Sequence, residues 1–375
     1  LEDDSVLAEH RELVEALMAV VFPIADVGAL GAIGQPFGFT NFFETPFARR
    51  LGLFTEEAFM SGAQHAKQLM QQGEVIVAYQ KILAKVYGPQ VDLDYPILIS
   101  LDNEDTGLRQ HFQVWWDSRF LEIIPRGSIP QPSLEDLGRL RAEPTNVDLW
   151  MEILPPHHFE LGGLGIVRAA DVTMREAISR LKDDLLESDA MATSKVDRWQ
   201  TRIRTLLGAP DVQVGLIGFD SSKDFDAIDF AFPVGRSLLM SDGAAPSCTH
   251  RTESSYADAF RKGEPVVVSD IEHGGLKSGF EHYLVSKGFK SLLIQPLFID
   301  DRLIGLLEVA SQHSGTMTAF SSFKLGEVAK PFATALERSL NERDDRIQSV
   351  IKQKYTAIHP ALEWRFRKAA ATWLK

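Results

Sequence analysis

A single cysteine, Cys248, occurs among the 375 residues of the sequence. One cysteine cannot form an intramolecular disulfide or supply a cysteine-rich zinc site, so both kinds of stabilisation are excluded. Basic side chains are also scarce, because 39 Lys and Arg stand against 52 Asp and Glu and leave a formal net charge of −13. Surfaces that bind nucleic acid or anionic membranes are rich in Lys and Arg, so we expect neither partner. These deficits favour a reducing compartment, and we expect a cytoplasmic protein.

Long hydrophobic runs are missing as well. The nearest approach, residues 16–34, is broken by Pro23, Asp26 and three glycines. A central Asp costs about 2.5–3.5 kcal/mol on insertion into a bilayer, so we expect a buried helix and a turn there, and no membrane span. The 45% of hydrophobic and 24% of charged residues are typical of a folded globular chain rather than a disordered one.

Patterning divides the chain into two folded regions and a helical extension. Residues 1–170 combine predicted helices with predicted strands, and we expect a separate α+β domain whose family the sequence does not reveal. Two of its later strands are predicted at residues 149–154 and 165–169. Residues 171–342 are predicted as a second domain, and residues 343–375 as a C-terminal helical extension.

The last third of the sequence predicts an extended amphipathic helix. Apolar residues recur every three or four positions from about Ser322 to Ile351, with one polar lapse. Pro331 lies within this pattern, where it is expected to kink the helix or to mark its first turn. An apolar stripe of this length needs a covering surface, so we expect a homodimer formed through the C-terminal helices.

Four segments follow one another in an order that is characteristic of a known family. An apolar strand ends in Asp at Pro265–Asp270, and the pattern G-x-x-S-x-x-x-x-P-L covers Gly288–Leu297. The return strand Asp301–Ser311 contains G-x-L, and an amphipathic helix contains Ala335–Arg338. Residues from about 175 to 342 therefore resemble a GAF domain, which implies an antiparallel sheet flanked by helices. The expected fold class is α+β, with a separate α+β domain before the GAF-like domain and long helices after it.

Two residues within these strands carry structural expectations. Gly305 in a buried strand indicates the close approach of a neighbouring element. Pro296 indicates an edge position or a bulge, because proline cannot donate to a ladder of strand hydrogen bonds. The strands themselves, Ser291–Ile299 and Leu303–Ala310, are separated by a three-residue turn and predict a hairpin.

The resemblance implies a regulatory role rather than catalysis. GAF domains bind small molecules or support dimerisation, and they usually regulate an attached output domain. We therefore expect a non-enzymatic sensory or regulatory protein that passes a signal through its terminal helices. Two alternatives stay open: an enzyme with its site in the N-terminal domain, regulated by the GAF-like domain, and a structural interaction module without a ligand. No catalytic residue and no metal site is predicted, and the cofactor is unknown.

Chemistry-bearing members of the GAF family are poorly matched. Bilin-binding members attach their chromophore through a cysteine that commonly adjoins a histidine, whereas Thr249 separates Cys248 from His250 here. Free methionine sulfoxide reductases of this family need a pair of cysteines, and this chain has one. The Asn-Lys…Phe…Asp-Glu motif of the cyclic-nucleotide-binding members is absent from the sequence. The resemblance therefore leaves the ligand unidentified.

If the GAF-like domain holds a ligand, we expect the cavity between its sheet and the helices over residues 240–287. Polar side chains in this region form the candidate ligand-binding set: Arg236, Cys248, His250, Tyr256, Asp270, His273, Tyr283 and Gln295. Asp270 and His273 follow a strand and could both point inward; the alternative is that Asp270 caps the next turn while His273 is solvated. A further alternative is a pocket filled by aromatic rings, since phenylalanines are frequent here. They are Phe219, Phe225, Phe230, Phe232, Phe260, Phe280 and Phe289.

Overall fold

The computed structural model describes residues 10–23, 28–34, 41–55, 75–88, 97–187, 189–219, 231–234, 236–239, 253–274 and 279–354. The chain divides into two compact units, Leu1–Glu104 with Arg109–Thr173, and Asp105–Leu108 with Met174–Lys375. Each unit contains a five-stranded antiparallel sheet together with helices. The expected α+β fold class is thereby confirmed, while the domain boundaries at residues 170 and 342 stay predictions.

The N-terminal unit is an antiparallel sheet with helices and a separate two-stranded ribbon. Its helices are α1 (Arg11–Met18), α2 (Pro46–Leu51), α3 (residues 75–82, continued by a π-helical turn Leu83–Tyr87), α4 (Leu134–Ala142) and α5 (Val147–Ile153). Its strands are β1 (Leu30–Gly34), β2 (Asn41–Glu44), β3 (Ile97–Asp102), β4 (Arg109–Asp117), β5 (Leu121–Pro125), β6 (Phe159–Gly163) and β7 (Gly165–Asp171). The main sheet has the order β2-β1-β7-β4-β3, and β5 pairs with β6.

Helix α5 corrects the sequence prediction, which placed a strand at residues 149–154. Asn146 accepts a hydrogen bond from the main-chain N–H of Leu149 at 3.1 Å and caps the helix. Leu149, Trp150 and Leu154 are buried in one apolar cluster, and the Trp150 indole N–H donates to the Pro144 carbonyl at 2.9 Å. A short apolar run is compatible with a buried strand or a buried helix, and the cap decides between them here. The strand predicted at residues 165–169 is confirmed as β7.

The C-terminal unit surrounds its sheet with helices on both faces. Its helices are α6 (Thr173–Leu186), α7 (Val196–Leu207), α8 (Ser255–Lys262), α9 (Gly279–Ser286) and α10 (Ala319–Lys354). Its strands are β8 (Gln213–Phe219), β9 (Ala231–Pro233), β10 (Val266–Val268), β11 (Ser291–Ile299) and β12 (Arg302–Ser311). The sheet order is β10-β11-β12-β8-β9 with antiparallel neighbours, and β11–β12 is the predicted hairpin.

Strand alternation separates two apolar layers in this unit. Leu307 and Val309 of β12 pack in a cluster with residues of α6, α7 and α10, and we call this side of the sheet the α10 face. Leu306 and Ala310 of the same strand pack in a second cluster with residues of α8 and α9, and this side is the α8/α9 face. Every ligand candidate on the sheet therefore belongs to one face or the other.

Helix α10 is longer than the sequence pattern indicated and runs through Pro331. Leu325, Val328, Phe332 and Leu336 are buried at the predicted spacing of three or four residues. Pro331 lies inside the helix rather than in its first turn, so the backbone lacks one hydrogen-bond donor at that position. No helix in the described part of the chain is long and apolar enough to cross a membrane.

Gly305 and Pro296 occupy the positions that their residue types indicate. A Cβ atom on Gly305 would lie 2.4 Å from the Ile217 carbonyl oxygen and 2.4 Å from Leu336 Cδ2, which confirms the close approach. The pairing of β10 with β11 ends at Ile294, so Pro296 lies beyond it, and a bulge follows directly after Leu297. Proline is tolerated there because no β10 residue pairs with that position.

Replacing Gly305 with Ala is expected to lower the free energy of unfolding by about 1–3 kcal/mol, because overpacking at this site displaces backbone or the Leu336 side chain. Gly326→Ala is the matched control, since a Cβ there meets no atom within 4 Å. Alanine is expected to stabilise that position of α10 by about 0.5–1 kcal/mol. Urea denaturation measures both, and a Gly305→Ala variant as stable as the wild type would contradict the close contact.

Candidate functional site

The carboxyl group of Glu308 is the centre of the candidate site. Glu308 lies between Leu306 and Ala310 in β12, points to the α8/α9 face and is 0% exposed. Burying a charged group is costly unless hydrogen bonds compensate it. The hydrogen-bond donors around Glu308 therefore determine whether a carboxyl group can be accommodated on this face of the sheet.

Neutral donors from two segments of the chain hold this carboxyl group. Oε2 accepts the main-chain N–H of Leu238 at 2.9 Å, and Oε1 accepts that of Leu239 at 3.2 Å. The Tyr256 hydroxyl of α8 donates to Oε1 at 2.8 Å, and the Ser237 side chain donates as well. Within the described part of the chain Glu308 forms no ion pair with Lys or Arg. One side chain thus joins β12 to residues 237–239 and to α8.

Gly215 makes room for this arrangement. Gly215 of β8 is the pairing partner of Glu308 across the sheet. A Cβ atom on it would lie 2.4 Å from Glu308 Oε2 and 2.7 Å from the Leu238 nitrogen. Any larger residue would therefore push the carboxyl group or the Leu238 backbone away.

Burial dominates the acid–base properties of the pair. It raises the pKa of Glu308, while the hydrogen bonds from Tyr256, Leu238, Ser237 and Leu239 act in the opposite direction. Burial, followed by the negative charge of Glu308, raises the pKa of Tyr256 well above its ordinary value. The Tyr256 hydroxyl therefore keeps its proton at neutral pH and serves as a donor.

A second buried carboxyl group, that of Glu281, joins the two helices of this face. Glu281 lies in the first turn of α9 and accepts the main-chain N–H of Ser255 at 2.8 Å. Ser254 accepts the N–H of Ala257 at 3.1 Å, so both bonds satisfy free donors at the start of α8. A carboxylate at a helix N-terminus also interacts favourably with the helix dipole.

Tyr256 is the predicted ligand candidate that the structure places at this centre. Arg236 lies elsewhere, because its guanidinium donates to the Gln200 side chain of α7 and its Nη1 is 3.7 Å from Asp197. Its backbone nevertheless pairs with β8, since the Leu216 N–H donates to the Arg236 carbonyl at 2.7 Å. Arg236 therefore secures the edge of the sheet.

Gln295 corrects the prediction that grouped it with Tyr256. Leu292 and Ile294 of β11 lie on the α8/α9 face, and Leu293 lies on the α10 face. Because strand side chains alternate between the two faces, Gln295 lies on the α10 face as well. Its Nε2 donates to the Pro296 carbonyl at 3.2 Å. Its Oε1 is buried and has no hydrogen-bond partner among the described residues.

Asp270 and His273 adopt the capped-turn arrangement that was the alternative to an inward-facing pair. Asp270 Oδ1 accepts the main-chain N–H of His273 at 2.9 Å, and the imidazole Nδ1 lies 3.1 Å from the same oxygen. That N–H is the main reason why the pKa of Asp270 is lowered. The His273 side chain is 82% exposed. The pair therefore does not point into the domain.

The remaining candidates are less informative. Tyr283 is half-buried in α9, with Lys287 Nζ 5.2 Å from the centre of its ring. Cys248 and His250 lie outside the described residues, as do Phe225 and Phe230.

Aromatic rings occupy much of the described α8/α9 face. Phe219, Phe280 and Phe289 are buried there. Phe260 packs edge-on against Phe219 with 5.1 Å between ring centroids, and Phe280 packs similarly against Tyr256 at 5.9 Å. These rings surround the polar centre with an apolar wall.

Glu308 and Glu281 were not among the predicted site residues. The sequence did contain a clue for Glu308, because it is the one charged residue between Leu303 and Ala310. A charge in an otherwise buried strand requires partners and indicates a special environment. Glu281, in contrast, lies in a short helix of mixed polarity and carries no such clue.

One constellation at the end of β12 combines serine, histidine and aspartate without nucleophilic chemistry. Asp211 Oδ2 accepts the Ser311 hydroxyl at 2.5 Å and lies 3.1 Å from His313 Nδ1. The aspartate therefore stands between the other two, whereas a nucleophilic serine needs the histidine as its neighbour. The cluster secures a turn. In the described ranges no group of three or more His, Cys, Asp or Glu could hold a metal ion.

Comparison with known proteins supports the GAF resemblance. The GAF_2 family model, described as a GAF domain, matches residues 201–337, which confirms the resemblance stated for this region. No curated protein matches the chain.

Several solved structures are similar at low identity. Free methionine-R-sulfoxide reductase from Neisseria meningitidis, in complex with its substrate, is 22% identical with a TM-score of 0.33, covering 45% of this chain and 91% of that chain. A phycoerythrobilin-bound GAF domain from a cyanobacterial phytochrome is 17% identical with a TM-score of 0.31, covering 45% and 96%. The chromophore-binding domain of a bacteriophytochrome from R. palustris is 12% identical with a TM-score of 0.28, covering 70% and 79%. At these TM-scores the three structures say nothing of what this chain binds.

Replacing Glu308 with Gln is expected to lower the free energy of unfolding by about 1–3 kcal/mol at neutral pH, because one amide oxygen cannot satisfy all the donors that the carboxyl group accepts. The effect should depend on pH. Since burial raises the folded pKa of Glu308, the wild type binds more protons when folded. Its advantage over the variant is greatest below the unfolded pKa and falls as the pH rises through the folded pKa.

Urea denaturation of both proteins across the acidic and neutral range measures this difference. Glu337→Gln is the control, because Glu337 pairs with the exposed Arg302 at 2.8 Å and such pairs contribute less than about 1 kcal/mol. Equal stability of Glu308→Gln and the wild type at every pH would show that the buried hydrogen bonds contribute nothing.

Proposed function

We propose that this chain, whose residues 201–337 match the GAF family model, is a sensory or regulatory protein that binds a small molecule at the α8/α9 face. Binding changes the packing of α10, and α10 forms a homodimer with its counterpart in a second copy. In this proposal the protein is not an enzyme, and its regulated partner is a further protein or domain.

The buried Glu308–Tyr256 pair is the observation that carries the proposal. A sheet face that only had to pack against helices would be filled at lower cost by apolar side chains, because desolvating a carboxylate is expensive. Buried titratable groups with strongly perturbed pKa values are typical of functional sites. Glu308 and Tyr256 offer such groups on the face that the sequence predicted for a ligand.

Removing the Tyr256 hydroxyl tests the proposed ligand site. Native mass spectrometry of freshly purified wild-type protein is expected to show a retained small molecule, and Tyr256→Phe is expected to retain several-fold less of it, as the loss of one hydrogen bond of about 1 kcal/mol implies. Tyr79→Phe is the matched control, because the Tyr79 hydroxyl is also buried but lies in the N-terminal unit. Equal retention by wild type and Tyr256→Phe argues against a ligand at this face.

Two exposed aromatic residues support the dimer. Phe320 and Phe323 lie three residues apart at the start of α10 and are 64% and 63% exposed. Side chains at this spacing share one face of a helix, and exposed aromatic rings are typical of interaction surfaces.

Sedimentation velocity tests the dimer directly. The wild type is expected to sediment as a dimer, and the double variant Phe320→Ser/Phe323→Ser as a monomer, because the apolar contact is lost. Leu134→Ser is the control, since Leu134 is 89% exposed in the N-terminal unit and is expected to leave the dimer intact. A wild type that remains monomeric at high concentration excludes the dimer.

Specific observations favour the two alternatives. The buried rings of Phe219, Phe280 and Phe289 favour a structural interaction module whose GAF-like pocket is filled. For an enzyme with its site in the N-terminal unit, the supporting observation is that Tyr79 Oη and Gln80 Nε2 are buried and lack hydrogen-bond partners among the described residues. A ligand that Tyr79→Phe releases and Tyr256→Phe retains favours that N-terminal site.

A further inference from the structure

We propose that strand β12 is the element that couples the α8/α9 face to helix α10, with Glu308 as its contact on one side of the sheet and Gly305 on the other. The inference rests on the proposed function, because it names the contacts through which a ligand at that face would change the packing of α10. It concerns contacts within the C-terminal unit alone.

On the α8/α9 face, residues 237–239 and α8 are bonded to β12 through one side chain. The main-chain N–H groups of Leu238 and Leu239 and the hydroxyl of Tyr256 all end on the Glu308 carboxyl group. A molecule that displaces residues 237–239 or α8 must stretch at least one of these bonds. In a low-dielectric interior such a change is costly, so β12 is drawn into any movement of these segments.

On the α10 face, the same strand touches the helix without an intervening layer. Gly305 lies three residues before Glu308, and the Leu336 side chain fills the space that a Cβ would occupy. Leu307 and Val309 continue this contact in the apolar cluster that contains Phe332 of α10. A shift of β12 is therefore felt at Leu336 and Phe332 because close-packed interiors transmit strain.

Two buried polar atoms on the α10 face bear on the packing of α10. Within the described residues, the Trp199 indole N–H and the Gln295 carbonyl oxygen are both buried without a hydrogen-bond partner. Trp199 packs edge-on against Phe332 with 5.7 Å between ring centroids. The Trp199 nitrogen is a donor and the Gln295 oxygen is an acceptor. An arrangement of α10 that gave either atom a hydrogen-bond partner would remove the cost of leaving it unpaired. A second packing that satisfied one of these atoms would make α10 the two-state element that the coupling needs.

Hydrogen–deuterium exchange of the full chain, as purified and without added ligand, tests the coupling. Glu308→Gln is expected to accelerate exchange of the α10 amides around Phe332 and Leu336 by about two- to thirtyfold, the usual range of coupling between sites. Tyr256→Phe, which removes one of the bonds, is expected to act in the same direction and more weakly. It keeps the test informative if Glu308→Gln fails to fold.

Glu281→Gln is the matched control. It also removes a buried carboxyl group from the α8/α9 face, but this one accepts the main-chain N–H of Ser255 at the start of α8. Its effect is expected to be largest at the start of α8, with the α10 amides accelerated less than in Glu308→Gln, because the hydrogen bonds that end on Glu308 remain in place. The α5 amides serve as an internal reference, since α5 lies in the N-terminal unit.

Two results would overturn the inference: unchanged α10 exchange in both Glu308→Gln and Tyr256→Phe, or an equal acceleration in α5 and α10, which indicates a general loss of stability. Coupling in a protein that retains no ligand would leave the inference standing while removing the small-molecule part of the proposed function. Ligand retention without coupling would remove the inference and leave the small-molecule part of the proposed function standing.

Discussion

The C-terminal unit depends on the cost of placing one carboxyl group out of contact with water. Glu308 is compensated by neutral donors rather than by a cation, so several segments must converge on it for the fold to be stable. Residues 237–239, α8 and β12 are thereby held in one arrangement. The aromatic rings of the α8/α9 face add apolar area around this centre, but the hydrogen bonds fix which backbone segments meet there.

The two faces of the sheet have different mechanical roles. The α8/α9 face is joined by directional polar bonds, including the one between Glu281 and Ser255 that ties α9 to α8. The α10 face is a largely apolar layer, and among the described residues it contains the unpaired buried atoms of Trp199 and Gln295. Directional bonds fix the positions of particular backbone segments, whereas an apolar layer is held by close packing over its whole area.

Local pattern predicted much of this architecture, and long-range pairing accounts for the rest. The β11–β12 hairpin and the spacing of α10 were predictable because apolar periodicity and a short turn are properties of adjacent residues. Gln295 was assigned to the wrong face, since a change of one residue in register moves a strand side chain across the sheet.

The candidate site itself was only partly predictable. Tyr256 was among the expected residues, but its partner was not, because the donors that compensate Glu308 come from positions 52 and 70 residues away in sequence. No local pattern can reveal contacts at such separations. Helix α5 shows the same limit on a smaller scale, where a cap outside the apolar run decided between helix and strand.

Gly215 of β8 and Gly305 of β12 let neighbouring segments approach the sheet backbone more closely than a side chain would allow. At Gly215 the backbone of residues 237–238 meets the sheet from one side, and at Gly305 a helix side chain meets backbone from the other. Most sheets are cushioned by side chains whose rotamers absorb small displacements. Gly215 and Gly305 have no side chain, so their neighbours contact the strand backbone directly and this part of the sheet is rigid. Neither glycine has a side chain that could absorb a displacement of the Leu238 backbone or of the Leu336 side chain.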